Sequence, residues 1–142
     1  MKYLLDTCVI SEVVKQKPDK KVLAWLQNQD ETNLYLSVLT FGEIEKGIEK
    51  SANAERKKRL RLWVEEDLKQ RFKNRILPID MQTAIKWGEI QGKSEAVGKP
   101  LPTIDGLIAI TALVNNCIVV TRNISDMQQS SVELYNPWKN GA

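Results

Sequence analysis

Short apolar runs alternate with longer stretches of helical period along the chain, and this alternation restricts its fold more than any other feature. Five runs read as strands: residues 2–5 (KYLL), 33–37 (NLYLS), 75–79 (RILPI), 117–121 (CIVVT) and 132–135 (VELY). The first four are mostly continuous in apolar residues. A strand that is apolar on both sides must be covered on both sides, which is the condition of a parallel sheet between helical layers. Pro78 has no N–H to give to a ladder, so the third run is expected at an edge. The stretches between carry apolar positions at helical spacing: Val22, Leu23 and Leu26 in 19–29; Leu39, Phe41, Ile44 and Ile48 in 38–50; Ile85, Trp87 and Ile90 in 81–97. A short helix is expected at 7–15, and a strongly charged one at 54–73 with Leu60, Trp63, Val64 and Leu68 as its buried stripe. Residues 104–116 are apolar almost all round, which predicts a central helix. Strands alternating with helices predict an α/β three-layer sandwich with right-handed crossovers. The obvious loop is "VGKPLPT" at 97–103, and the tail "NPWKNGA" reads as a turn followed by a frayed end. A length of 142 residues suits one domain spanning 1–142. Trp25, Trp63 and Trp87, at helical spacings, are expected in the core.

The chain has no histidine. That excludes Ser-His-Asp and Cys-His nucleophilic sites and His-ligated zinc. Hydrolytic chemistry here must use carboxylates, with an oxygen-loving cation such as Mg²⁺ or Mn²⁺. Cys8 and Cys117 lie in apolar runs and form no CxxC pair, which fits a reduced, cytoplasmic setting. No signal-peptide pattern opens the chain, and no apolar run approaches the ~20 residues of a membrane span. The net charge of +3 leans mildly toward anionic partners.

Five carboxylates fall at strand-to-helix seams. Asp6 follows the first run, Glu43 lies in the first turns after the second, and Asp80 follows the third. Asp105 sits in the first turn of the apolar helix, and Asp126 follows the fourth run in "TRNISD". Each has a helix-end explanation. Asp6 and Asp80 suit N-caps, and Thr40 with Glu43 has capping-box spacing. Asp105 complements a helix dipole, and Asn123 suits the cap of a short helix with Asp126 in its first turn. Jointly they say more. Parallel strands end on one edge of the sheet, where ligands gather. Acids crowded there repel one another, and a divalent cation removes the repulsion, activates water and stabilises a phosphodiester under attack. Residue chemistry alone keeps all five candidates. Two other acid-edged α/β classes fit less well. The paired acids and late lysine of receiver domains are missing, since Asp6 is single and Lys2 precedes it. The second acid of the haloacid-dehalogenase DxDx[TV] motif is missing from Asp6-Thr7-Cys8.

With these residues in view, the chain resembles the PIN-domain ribonucleases, in particular VapC-type toxins of the FitB-like branch. The resemblance rests on "YLLDTCVISE" at 3–12, "SVLTFGEIEKGI" at 37–48, "LPTIDGLIAITAL" at 101–113, "VVTRNISDM" at 119–127 and "NPW" at 136–138. It implies a PIN-like fold with a mostly parallel five-stranded sheet in the order 3-2-1-4-5, and a metal-dependent endoribonuclease using Mg²⁺ or Mn²⁺. Asp6, Glu43, Asp105 and Asp126 match the catalytic, metal-holding acids. Thr7, Thr121 and Asn123 match polar positions that orient acids or waters, and the Thr7 hydroxyl is expected to help aim Asp6. Asp80 matches no metal position and is read as a cap. Met127 stands where the family usually has Phe. Glu45, two residues from Glu43, points to another helix face and is read as surface.

The resemblance further implies a homodimer and a cognate antitoxin that wraps the toxin and inserts a basic side chain among the acids. RNA as the substrate is likewise its implication. Arg122, beside the acids, is a candidate phosphate contact. The charge run at 56–75 is read as a solvated helix face with internal ion pairs, against an alternative as a phosphate-tracking patch. The competing functional class is a catalytically silent PIN-like module that binds RNA or a partner protein.

Overall fold

The computed structural model describes residues 1–140. The five strands are β1 (Lys2–Leu5), β2 (Leu34–Ser37), β3 (Ile76–Leu77), β4 (Cys117–Val120) and β5 (Leu134–Tyr135). They form one sheet in the order β3-β2-β1-β4-β5, with every pairing parallel. β1 is central: Leu4 faces Tyr35 of β2, and Leu5 faces Val120 of β4. Successive side chains of a strand point to opposite faces. Leu4 and Leu5 are nonetheless both buried, so helices cover both faces, as the continuous apolar runs require.

On one face Leu5, Leu34, Leu36 and Val120 pack with Val9 and Ile10 of α1 (Thr7–Val13) and Val22 and Trp25 of α2 (Lys20–Gln27). Trp25 is clasped between Tyr3 (5.1 Å, edge-on) and Tyr135 (5.4 Å, stacked). Trp63 and Trp87 are only partly buried. On the other face Leu4 and Val119 pack with Ile108, Ala109 and Ala112 of α7 (Thr103–Val114), the expected central helix.

Four expectations are corrected. The edge strand β3 has two residues rather than the five of 75–79, because Pro78 stops the ladder. The 54–73 helix is broken into α4 (Ala54–Trp63), a π-helical turn Val64–Leu68 and α5 (Lys69–Arg71). The wider turn re-phases the chain, so Leu68 and Phe72 reach the core while α4 buries nothing. In α6 (Met81–Ala96) the inward stripe is Thr83, Trp87, Gln91 and Ser94, spaced four, four and three apart. Ile85 is off that phase and 56% exposed. Where the tail was expected to turn, residues Pro137–Asn140 make a short helix, α9, and the frayed end expected at 141–142 lies outside the described residues.

The remaining helices are α3 (Val38–Lys50) and α8 (Ile124–Met127). The 97–103 loop turns at Gly98, whose φ of 73° is left-handed. Leu101 is then strapped to α6: Gln91 Nε2 donates to its carbonyl at 2.8 Å and Gln91 Oε1 accepts its N–H at 2.9 Å. Gly106 of α7 sits so close that a Cβ there would meet Leu101 Cβ at 3.1 Å.

Candidate metal centre

Asp6 is where the first strand becomes the first helix. Its N–H continues the ladder to the Val120 carbonyl at 2.9 Å, and its backbone is extended at the N-cap of α1. Oδ1 accepts the Thr7 N–H at 2.8 Å, and Oδ2 accepts the Thr121 hydroxyl at 2.7 Å. The Cys8 thiol approaches Oδ2 at 3.6 Å. Capping and aiming are therefore one arrangement: the backbone amide turns the carboxylate and Thr121, from the end of β4, locks it. Asp6 is only 2% exposed. The Thr121 hydroxyl also accepts the Asn123 N–H at 2.9 Å, so its proton is directed to Asp6.

Thr7 has a different task from the one expected. Its hydroxyl lies 2.6 Å from Glu43 Oε1 and donates there, so it positions Glu43 while its backbone N–H serves Asp6. Thr40, fully buried on α3, stands 3.1 Å from the same hydroxyl and steadies it. The capping box expected of Thr40 and Glu43 is not formed. Ser37 caps α3 by accepting the Leu39 N–H at 3.0 Å, because the strand ends three residues before Thr40. Asn123 does occupy the N-cap position of α8, but its side chain makes no capping bond.

Asp105 stands in the first turn of α7, which starts at Pro102 without a side-chain cap. A helix N-terminus favours a carboxylate and would lower its pKa. Instead the Asp105 carboxyl is pushed up to about 6, first by burial, then by the negative charges of Asp6, Asp126 and Glu43. The same three acids that the sequence picks out thus act on Asp105 as one field, and repulsion with desolvation outweighs the dipole. Asp126 is exposed at the rim, and Met127 beside it is wholly buried, filling the Phe position as packing.

None of these four acids is compensated by a cation. Among the described residues, the ion pairs engage Glu12, Glu31, Glu45, Glu49, Glu65 and Glu89 instead. Nor do any three acids come together closely enough to grip a metal ion as they stand, among the described residues. Of the four, Asp6 and Glu43 are held by hydroxyls, and Asp6 also by backbone. The donor set is oxygen throughout, which fits a hard divalent cation and not a soft one.

Asp80 falls outside the cluster as expected. It caps α6, accepting the Thr83 N–H at 2.9 Å and the Thr83 hydroxyl at 2.8 Å. Glu45 is also on the surface, paired with Arg61. Arg122 is exposed, its guanidinium 4.7 Å over the Trp138 ring, which holds it at the end of β4. Sequence reading missed the positioning role of Thr40, the nearness of the Cys8 thiol to Asp6, and buried Glu12. Glu12 joins α1 to α2 by accepting the Asp19 N–H at 2.9 Å and Lys15 Nζ at 2.9 Å. Its signal in sequence is no more than the Glu12–Lys15 spacing of an ordinary surface pair.

Residues 3–127 match the PIN domain family. Toxin FitB of Neisseria gonorrhoeae is 34% identical over 135 residues, covering 95% of this chain and 97% of that protein. VapC ribonuclease Y4jK of Sinorhizobium fredii is 32% identical over 136 residues, covering 96% and 97%. The crystal structure of FitAcB from Neisseria gonorrhoeae superposes with a TM-score of 0.92 at 34% identity, covering 96% of this chain and 99% of that one.

Proposed function

Because the chain belongs to the PIN domain family, we propose that it is a metal-dependent endoribonuclease acting as the toxin of a toxin–antitoxin pair. The observation that carries this reading is the field of four acids, unpaired among the described residues, that acts on Asp105. Similarity over nearly the whole chain to a protein named as a toxin and to one named as a ribonuclease supports it.

In this reading Asp6, Glu43, Asp105 and Asp126 hold Mg²⁺ or Mn²⁺. The bound cation supplies a water activated for attack and neutralises charge on the scissile phosphate. The protein's own share is orientation. Thr121 fixes Asp6, and Thr7 with Thr40 fixes Glu43, so hydroxyls orient both carboxylates that would hold the cation. Asp105, whose carboxyl the neighbouring acids and burial push up, is the acid whose charge a cation there would relieve most. Arg122, backed by Trp138, receives a substrate phosphate beside the acids. A catalytically silent module would have no need of two separate hydroxyl supports for its acids.

The reading also includes one PIN domain over residues 1–142, a homodimer, and a cognate antitoxin partner that presents a basic side chain to the acids. Among the described residues no helix is long and apolar enough to cross a membrane. The test is cleavage of cellular RNA by purified protein with Mn²⁺. Asp6→Asn and Asp105→Asn, verified as folded, are expected to lose cleavage and to relieve growth arrest. Undiminished cutting by both variants refutes the site.

A further inference from the structure

The charge run at 56–75 divides into two parts with different fates. Lys69 pairs with Glu65 and Arg71 with Glu31, and Arg75 donates to the carbonyls of Glu31, Leu34 and Arg71. These cations are structural, tying the end of the segment to the β2 entrance, and Lys73 beside them has no ion-pair partner among the described residues. Arg61 is engaged too, bridging to Glu45 at 2.8 Å and Glu49 at 2.7 Å on α3. The four before it are not: Arg56, Lys57, Lys58 and Arg59 have no ion-pair partner among the described residues.

These four occupy consecutive positions of a helix that buries none of its ten residues. α4 is held by the Asn53 cap, which accepts the Arg56 N–H at 3.0 Å, by the Arg61 bridge and by its run into the π-turn. Trp63 at its end is half-buried against the core, but the turns before it gain little from packing, and neighbouring like charges oppose their formation. Lys57, Lys58 and Arg61 share one shallow face with Leu62, which is 53% exposed, and with Glu65, whose charge is taken up by Lys69. An isologous contact with a second copy would set these cations against themselves. What complements them is an extended polyanion.

Their place is also informative. α3 and α4 are joined by residues 51–53 and cross-braced by Arg61, so they form a hairpin with Glu43 toward its base and the cations toward its tip. At 1.5 Å per residue the tip is on the order of 10 Å along α3 from Glu43. We propose that the first two turns of α4 are an RNA-backbone surface, continuing the acidic cleft and gripping phosphates some nucleotides away from the bond that is cut. This rests on the nuclease reading for its substrate class.

The test measures binding without chemistry. Anisotropy of a fluorescein-labelled 20-nucleotide oligouridylate is titrated with the unaltered chain in EDTA, at several KCl concentrations. The comparison is the variant R56Q/K57Q/K58Q/R59Q, whose glutamines keep helix propensity, with folding checked by circular dichroism. Neutralising four contacts should reduce the salt slope of log K by about 3, at roughly 0.7 per single-strand phosphate, and weaken binding at least about tenfold in moderate salt. A second control, K17Q/K20Q/K21Q near the start of α2, should leave both unchanged, and should the first variant misfold, the R56Q/R59Q and K57Q/K58Q pairs are each expected to take about half of the slope. Failure of the parent to bind the probe, an unchanged slope in the variants, or equal competition by polyglutamate of matched charge overturns the proposal. The nuclease reading stands or falls separately, on Asp6→Asn cleavage.

Discussion

Replacing Asp105 by Asn should make the metal-free protein more stable while destroying its activity. The Asp105 carboxyl rises from 3.8 to about 6 through burial and the charges of Asp6, Asp126 and Glu43. A raised folded-state pKa means that ionisation is resisted by the fold. Relative stability is therefore complete below the unfolded value of 3.8 and is lost as pH climbs through about 6. A shift of about two units has a ceiling near 3 kcal/mol, and solvent screening at a half-buried side chain reduces this to about 1–2 kcal/mol. An Asn of the same shape does not suffer this repulsion. For a domain of this size the gain is about 3–8 °C in melting temperature. The assay is thermal unfolding of parent and variant in EDTA at pH 7.5 and pH 4.5. The variant should melt higher at pH 7.5, and about a third of the advantage should remain at pH 4.5. With excess Mn²⁺ at pH 7.5 the parent should rise and the variant much less, closing or reversing the gap. A variant that melts no higher than the parent in EDTA at pH 7.5, or whose advantage is the same at both pH values, refutes the reasoning.

Other substitutions separate positioning from scaffolding. Thr121→Val leaves Asp6 Oδ2 and the Asn123 N–H without their partner; it should cost about 1–3 kcal/mol in urea denaturation and lower Mn²⁺ affinity and cleavage by about 10–100-fold. Thr7→Val removes the support of Glu43 but keeps the backbone bond to Asp6, so metal affinity measured by calorimetry should fall with little change in melting temperature. Asp80→Ala loses the α6 cap and should lower the melting temperature with the cleavage rate untouched, whereas replacing a metal ligand would abolish cleavage. Gln91→Ala strands the buried Leu101 N–H and carbonyl; a loss of about 2–4 kcal/mol is expected, with a lower kcat because Leu101 is the floor against which Gly106, next to Asp105, is pressed.

The architecture was largely legible in the amino-acid order because burial on both faces leaves a local mark. Leu4–Leu5 and the CIVV of β4 are apolar without alternation, which only a doubly covered parallel strand demands. The order of those strands was not in the periodicity and came from the family resemblance of the motifs. Strand ends and helix phase were less legible. Pro78 announced an edge but not a strand of two residues, and nothing local distinguishes Ile85 from the inward Trp87 until α6 is docked.

The candidate site divides in the same way. Sequence picked out the acids themselves, since Asp6 and Asp126 follow apolar runs, Glu43 lies in the helix after one, and Asp105 opens an apolar helix. The absence of histidine also left carboxylates as the candidate groups for hydrolytic chemistry. Tertiary structure alone decided which hydroxyl serves which acid. Thr7 is adjacent to Asp6 in the chain yet gives its hydroxyl to Glu43, 36 residues away, while Asp6 takes its own from Thr121, 115 residues away. It decided as well that the first four cations of the basic run find no ion-pair partner among the described residues while Arg61, Lys69 and Arg71 are consumed in bridges. The physical reason is common to both. A hydrogen bond or ion pair depends on a few ångströms in space, and adjacency along the chain carries no information about which distant element the fold will bring that close.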